Sequence, residues 1–93
     1  MYNILVCDDD REIVDAIEIY LTQEGYHVLK AYDGMQAIQM LEREEIQLLI
    51  IDVMMPKLDG IRATLKIREK SSIPIIILSA KSEDVDKILG LNI

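Results

Sequence analysis

Apolar and polar positions come in blocks along this chain, and the blocks change period. Residues 3 to 7 (NILVC) run apolar after the first asparagine, as expected of a strand buried on both faces. Ile13, Ile17, Tyr20 and Leu21 then recur at helical spacing, which predicts a helix with these four residues inward and Gly25 as its C-terminal cap. A short strand follows from His27 to Ala31. Asp33-Gly34 opens a second helix with Met35, Ile38 and Leu41 inward, and Gln47 to Ile51 (QLLII) makes a third strand. A third helix is expected from about Gly60 to Lys70, and Pro74 leads into a fourth strand, IIIL. Ser82 is a good N-cap for a fourth helix, with Glu83 and Asp84 in its first turn.

Strands that are apolar on both faces, each separated from the next by a helix, imply a parallel sheet covered on both sides. The expected fold is a doubly wound α/β domain. In such sheets polar site residues gather where the strands end, because the loops diverge there and leave a crevice. The first strand ends in Cys7-Asp8-Asp9-Asp10, the third in Asp52 and the fourth in Ser79-Ala80-Lys81, so all three clusters fall on one rim.

Composition narrows the class. The 93 residues are 51% hydrophobic, enough for one small domain. The longest apolar runs, Leu48 to Ile51 and Ile75 to Leu78, are far too short to span a bilayer, and no leader pattern opens the chain, so a cytoplasmic location without membrane contact is expected. A single cysteine, Cys7, fits a reducing compartment. The net charge of −7 argues against this segment gripping nucleic acid through its phosphates.

The acids at the rim raise a question of charge. Asp8, Asp9 and Asp52 in one crevice repel by about 4 kcal/mol per close pair at an effective dielectric near 20, so a cation is expected among them. Hard oxygen ligands from two or three carboxylates, with room for water, suit Mg²⁺, and no histidine or thiolate cluster points to zinc. A divalent cation beside a carboxylate suits phosphoryl transfer, which makes Asp52 a candidate nucleophile forming an aspartyl phosphate. Ser79 is placed to donate a hydroxyl hydrogen bond to an incoming phosphoryl oxygen, and Ala80 leaves the approach open. Other polar residues have simpler readings. Asp10 and Asp33 are expected to cap helices, Asp59 to serve the turn before Gly60, His27 to be a surface or edge residue, and Cys7 to fill core space. Arg11, Glu12, Asp15 and Glu18, with Glu42, Arg43, Glu44 and Glu45, read as solvated helix faces.

ILVCDDD at the first strand, LLIIDVMMPKLDG at the third and IPIIILSA at the fourth resemble the receiver domain of bacterial two-component response regulators. The likeness covers the whole chain and includes the MMPKLDG stretch of the winged-helix, OmpR-type regulators. It implies a flavodoxin-like sheet in the order 2-1-3-4. It also implies that Asp52 is the phosphoacceptor and that Asp9, Asp52 and the Met54 backbone carbonyl ligate Mg²⁺, with Asp8 acting through the metal's water shell. Ser79 matches the switch hydroxyl, and Pro56 and Gly60 match the loop after the acceptor strand. The implied partner is a sensor histidine kinase docking at the first helix. The implied function is a phosphorylation-controlled receiver with no turnover substrate, acting on a transcriptional output domain by analogy with the family.

The family also has a fifth strand and helix, with a lysine that pairs with the phosphoryl group. Lys81 is not its equivalent. Residues 1–93 are therefore expected to be a receiver domain incomplete at its C-terminus: a truncated or proteolysed chain, or one completed by a swapped partner. An open edge on the fourth strand, and association through it as a homodimer or swapped assembly, follow from that expectation. Two other readings compete. A haloacid-dehalogenase-type phosphatase needs a second acid two residues after its nucleophile, and Met54 stands there. An interaction module that never takes phosphate is the remaining alternative.

Overall fold

The structure, a computed structural model, describes residues 2–53, 60–78 and 88–89. In chain order the elements are β1 (Asn3–Cys7), α1 (Arg11–Gln23), β2 (His27–Ala31), α2 (Gly34–Arg43), β3 (Leu48–Asp52), α3 (Gly60–Arg68), β4 (Ile75–Leu78) and β5 (Ile88–Leu89). They build one sheet in the order β2-β1-β3-β4-β5, in which β1 to β4 run parallel. The expected doubly wound architecture and the 2-1-3-4 order are both present.

Alternation along the strands sorts side chains onto two faces. Leu29, Leu5, Leu49 and Ile75 form a row across the sheet, and with Cys7, Ile51 and Ile77 they pack against Ala37 of α2 and Ala63 and Ile67 of α3. The intervening residues Ile4, Val6, Ile50 and Leu78 face the other way, onto Val14 of α1. Both faces are therefore core, which is why β1 and β3 contain almost no polar position before their last residues. Cys7 stands opposite Ile51 in the ladder, so Asp8 and Asp52, the next residues, reach the rim side by side.

Local chemistry sets the helix ends. Asp10 Oδ1 accepts from the backbone N–H groups of Glu12 and Ile13 at 3.0 and 3.4 Å, and Asp33 Oδ1 accepts from that of Gln36 at 2.8 Å, so both act as N-caps. At the far end of α1 the Tyr26 N–H reaches the Leu21 carbonyl and the Gly25 N–H the Thr22 carbonyl, a Schellman closure. Gly25 makes it possible with φ +93°, and nothing lies within 4 Å of where its Cβ would be. Gly25→Ala should therefore cost about 1 kcal/mol, from backbone conformation alone. A urea midpoint equal to wild type would show that the turn relaxes freely.

Three expectations need correction. Tyr20, expected inward, is 75% exposed, and the buried residue of α1 is Val14. Met35, also expected inward, is 50% exposed. Ala37 and Gly34 carry the close approach of α2 to the sheet, while Met35 borders a groove of about 480 Å³ shared with Ile38, Leu41 and Ile67 of the facing helices. The third correction concerns the fourth helix. Ser82, its expected cap, lies outside the described residues, but Ile88 and Leu89 pair antiparallel with Leu78 and Ile77. The β4 edge is thus partly covered. An apolar strand with unpaired backbone groups on its outer side favours any apolar segment that can complete the ladder. His27 is exposed on the outer strand β2, with Nδ1 3.1 Å from Asn3 Oδ1, as expected of an edge residue.

Candidate metal centre

Two strand ends create the site. The Asp8 N–H donates to the Ala31 carbonyl at 3.1 Å, which ties the end of β1 to that of β2, and Asp8 Oδ1 accepts from the Asp10 N–H at 2.9 Å as the chain turns into α1. Asp52 closes β3. The Val53 N–H next to it donates to the Leu78 carbonyl at 3.2 Å, holding the exit of β3 against β4. Asp8 and Asp52 are buried and Asp9 is exposed, and each offers a carboxylate oxygen within 4.8 Å of the other two.

The electrostatics are those of a site short of positive charge. Asp8 has its pKa raised from 3.8 to about 6, first by burial and then by the negative charges of Asp52 and Asp9, against the opposing pull of the Asp10 N–H. Its second oxygen, Oδ2, is buried and has no hydrogen-bond partner among the described residues. An orphaned buried carboxylate oxygen beside two other carboxylates is the arrangement that a hard cation, or a water on it, satisfies. The donors are all oxygen, two are enclosed and one faces solvent, so the set fits a partly hydrated Mg²⁺. Cys7 adds no ligand. Burial, followed by the fields of Asp33 and Asp8, pushes its thiol up to about 12, and Sγ donates to the Asp33 carbonyl at 3.3 Å.

Gly60, expected at the end of the loop and the start of the third helix, has a more specific part. It begins α3 directly on the backbone of β3: its N–H donates to the Val53 carbonyl at 3.3 Å, and a Cβ there would run into the Asp52 carbonyl oxygen and lie 2.6 Å from Val53 Cα. Buried Thr64 steadies the turn by donating from Oγ1 to the Gly60 carbonyl at 2.7 Å. Arg11, expected as plain surface, places its guanidinium 3.9 Å from the centre of the Tyr32 ring on the same rim. Ser79, Met54 and its carbonyl, Pro56, Asp59 and Lys81 lie outside the described residues.

A family model described as the response regulator receiver domain matches residues 4–93. The chain belongs to this family. As a receiver domain it is 44% identical over 90 residues to the regulatory protein VanR of Enterococcus faecium, covering 97% of this chain and 39% of that protein. It is 43% identical over 90 residues to the response regulator GtcR of Aneurinibacillus migulanus, covering 97% of this chain and 37% of that protein. The chain therefore spans less than two fifths of these relatives. Among solved structures, the response regulator TrrA of Thermotoga maritima, crystallised in complex with Mg²⁺-BeF, superposes with a TM-score of 0.83 at 34% identity, covering 88% of this chain and 72% of that one. Among the described residues of this receiver domain, no helix is long and apolar enough to cross a membrane.

Proposed function

We propose that this receiver domain is a phosphorylation-controlled signalling switch in which Asp52 accepts a phosphoryl group from a phosphohistidine of a sensor kinase. The observation that carries the reading is the convergence of Asp8, Asp9 and Asp52 within 4.8 Å, from two strand ends of one parallel sheet. The Mg²⁺-BeF bound by TrrA supports both a divalent cation and a small anion as the ligands of such a site. Asp9, Asp52 and the Met54 carbonyl are proposed to hold Mg²⁺, and Asp8 to orient its water. When bound, Mg²⁺ would neutralise charge on the transferred oxygens.

Asp52 acts as the nucleophile. One carboxylate oxygen forms the new P–O bond as the P–N bond of the phosphohistidine breaks, and the imidazole keeps the bonding electrons and takes up a proton. Asp52 is fully buried at the end of a paired strand, so its carboxylate is positioned before the donor arrives. Ser79, which follows the last residue of β4 in sequence, is proposed to donate its hydroxyl to the phosphoryl group and to carry the switch. The added charge then reorganises that side of the domain. No substrate is turned over.

Relatives more than twice as long as this chain, one named a response regulator and one a regulatory protein, support a regulatory output on further chain. A DNA-binding, transcriptional output of the winged-helix type, in the cytoplasm, is proposed by analogy from the sequence likeness. Residues 1–93 are then the receiver portion, with homodimerisation or strand swapping as a route to assembly.

Incubation with Mg²⁺ and acetyl phosphate should add one phosphate to the intact mass. The adduct should be labile to base, map to Asp52, disappear without Mg²⁺ and be absent from Asp52→Asn. An adduct retained by Asp52→Asn would place the acceptor elsewhere and defeat the reading.

A further inference from the structure

Arg11 opens α1 three residues after Asp8, and Tyr32 follows the residue whose carbonyl holds the Asp8 N–H at 3.1 Å. Their side chains meet on the β1–β2 flank of the acidic crevice, with the guanidinium carbon 3.9 Å from the ring centroid. Arg11 has acids close by in sequence at Asp9, Asp10, Glu12 and Asp15, yet among the described residues it forms no salt bridge. Stacking on an aromatic face restrains a guanidinium without using its N–H groups, whereas pairing with a carboxylate consumes two of them. The platform is itself fixed: the Tyr32 N–H donates to Gln36 Oε1 at 2.8 Å, and Gln36 is held in turn by the Asp33 cap. An exposed arginine is thus held at the rim with its donors available.

A phosphodonor is an anion approaching a cluster of three carboxylates. With all three ionised, even one divalent cation among them leaves a net negative charge that opposes the approach of an anion. We propose that Arg11, presented on Tyr32, is a positioning residue that captures the oxygens of the incoming phosphodonor at the lip of the crevice. It contributes to donor binding and not to the bond-making step. This rests on the function proposed above. A fork of N–H donors suits the planar or tetrahedral oxygens of an acyl phosphate or phosphoramidate, while a lysine supplies charge without the fork.

The test is the rate of Asp52 phosphorylation against acetyl phosphate concentration at saturating Mg²⁺, for wild type, Arg11→Ala, Arg11→Lys and Tyr32→Leu, with Mg²⁺ affinity measured separately by calorimetry. Arg11→Ala should raise the half-saturating acetyl phosphate concentration about five- to tenfold, leave the limiting rate within about twofold and leave Mg²⁺ affinity within about twofold. Arg11→Lys should recover part of the loss, and Tyr32→Leu should resemble Arg11→Ala because the fork is no longer held. An unchanged half-saturation in Arg11→Ala overturns the inference, as does a fall confined to the limiting rate or a matching loss of Mg²⁺ affinity. A wild type that takes up no phosphate at all removes the proposed function itself, and this inference with it.

Discussion

Gly60→Ala is expected to destabilise the domain by about 2 to 3 kcal/mol, the upper part of the range typical when a side chain is forced into a packed contact. Alanine normally gains up to about 1 kcal/mol over glycine inside a helix, so propensity alone gives the opposite sign. Packing decides the outcome here. The added Cβ meets the Asp52 carbonyl oxygen and stands 2.6 Å from Val53 Cα, and both obstacles are backbone, with no rotamer to swing aside. Relief requires α3 to move off β3, which breaks the hydrogen bond from the Gly60 N–H to the Val53 carbonyl and loosens Ala63 and Ile67 from the core. Because the contact is with Asp52 itself, Mg²⁺ affinity should fall along with stability. Urea unfolding and calorimetry on the same preparation test both parts. A wild-type midpoint would mean that α3 slides away without cost and that the tight approach has no structural weight.

Mg²⁺ should reverse the effect of the Asp8 charge on stability. Without metal, the folded chain holds the Asp8 proton more tightly than the unfolded chain does, since its pKa rises from 3.8 to about 6, chiefly through burial. The contribution of that proton to stability is complete below pH 4, declines as pH rises toward 6, and is lost above it. Its size is on the order of 2–3 kcal/mol at 1.36 kcal/mol per pH unit. At pH 7 the metal-free domain thus carries a buried carboxylate with an unsatisfied oxygen, and Mg²⁺ binding to the ionised cluster should restore about 2.7 kcal/mol at a hundredfold excess over its Kd. Asp8→Asn should stabilise the metal-free protein at pH 7 and blunt the response to Mg²⁺. The decisive quantity is the difference in stability between wild type and Asp8→Asn from pH 4 to 8, with Mg²⁺ or with EDTA. If wild type gains on the variant as pH rises in EDTA, the assigned direction is wrong. If Mg²⁺ leaves the difference unchanged, Asp8 does not serve the metal.

Both effects start from one arrangement: the acidic rim is assembled from groups that the fold holds at some cost. Asp8 and Asp52 lie where an apolar side chain would be more comfortable, and the core on both sheet faces supplies the stability that keeps them there. A cation bound among them would offset part of this cost and couple ligand binding to the rigidity of the strand ends.

Much of this was legible in the chain itself. Runs such as ILVC and LLII specify strands with two buried faces, parallel pairing sends every strand to the same rim, and so Asp8, Asp9 and Asp52 had to gather there. Asp10, Asp33 and Gly25 are short-range devices acting within a few residues, and each does what its position in the sequence implies. The tertiary structure decided whatever depends on how closely two elements approach. Helical periodicity defines a face only to within a residue step of roughly 100°, and it favours large apolar residues, so Tyr20 and Met35 looked buried. Contact with the sheet selected Val14 and Ala37, which fit a narrow gap. The same kind of gap explains Gly60, whose missing side chain matters because of the Asp52 carbonyl, which belongs to the preceding strand β3 but is adjacent in space. The stacking of Arg11 on Tyr32 and the pairing of β5 with β4 join segments from different parts of the chain. Local pattern determined the elements, their order and the rim that carries the acids; burial, separation and partner choice at that rim came from packing, because those energies depend on neighbours that only the folded chain brings together.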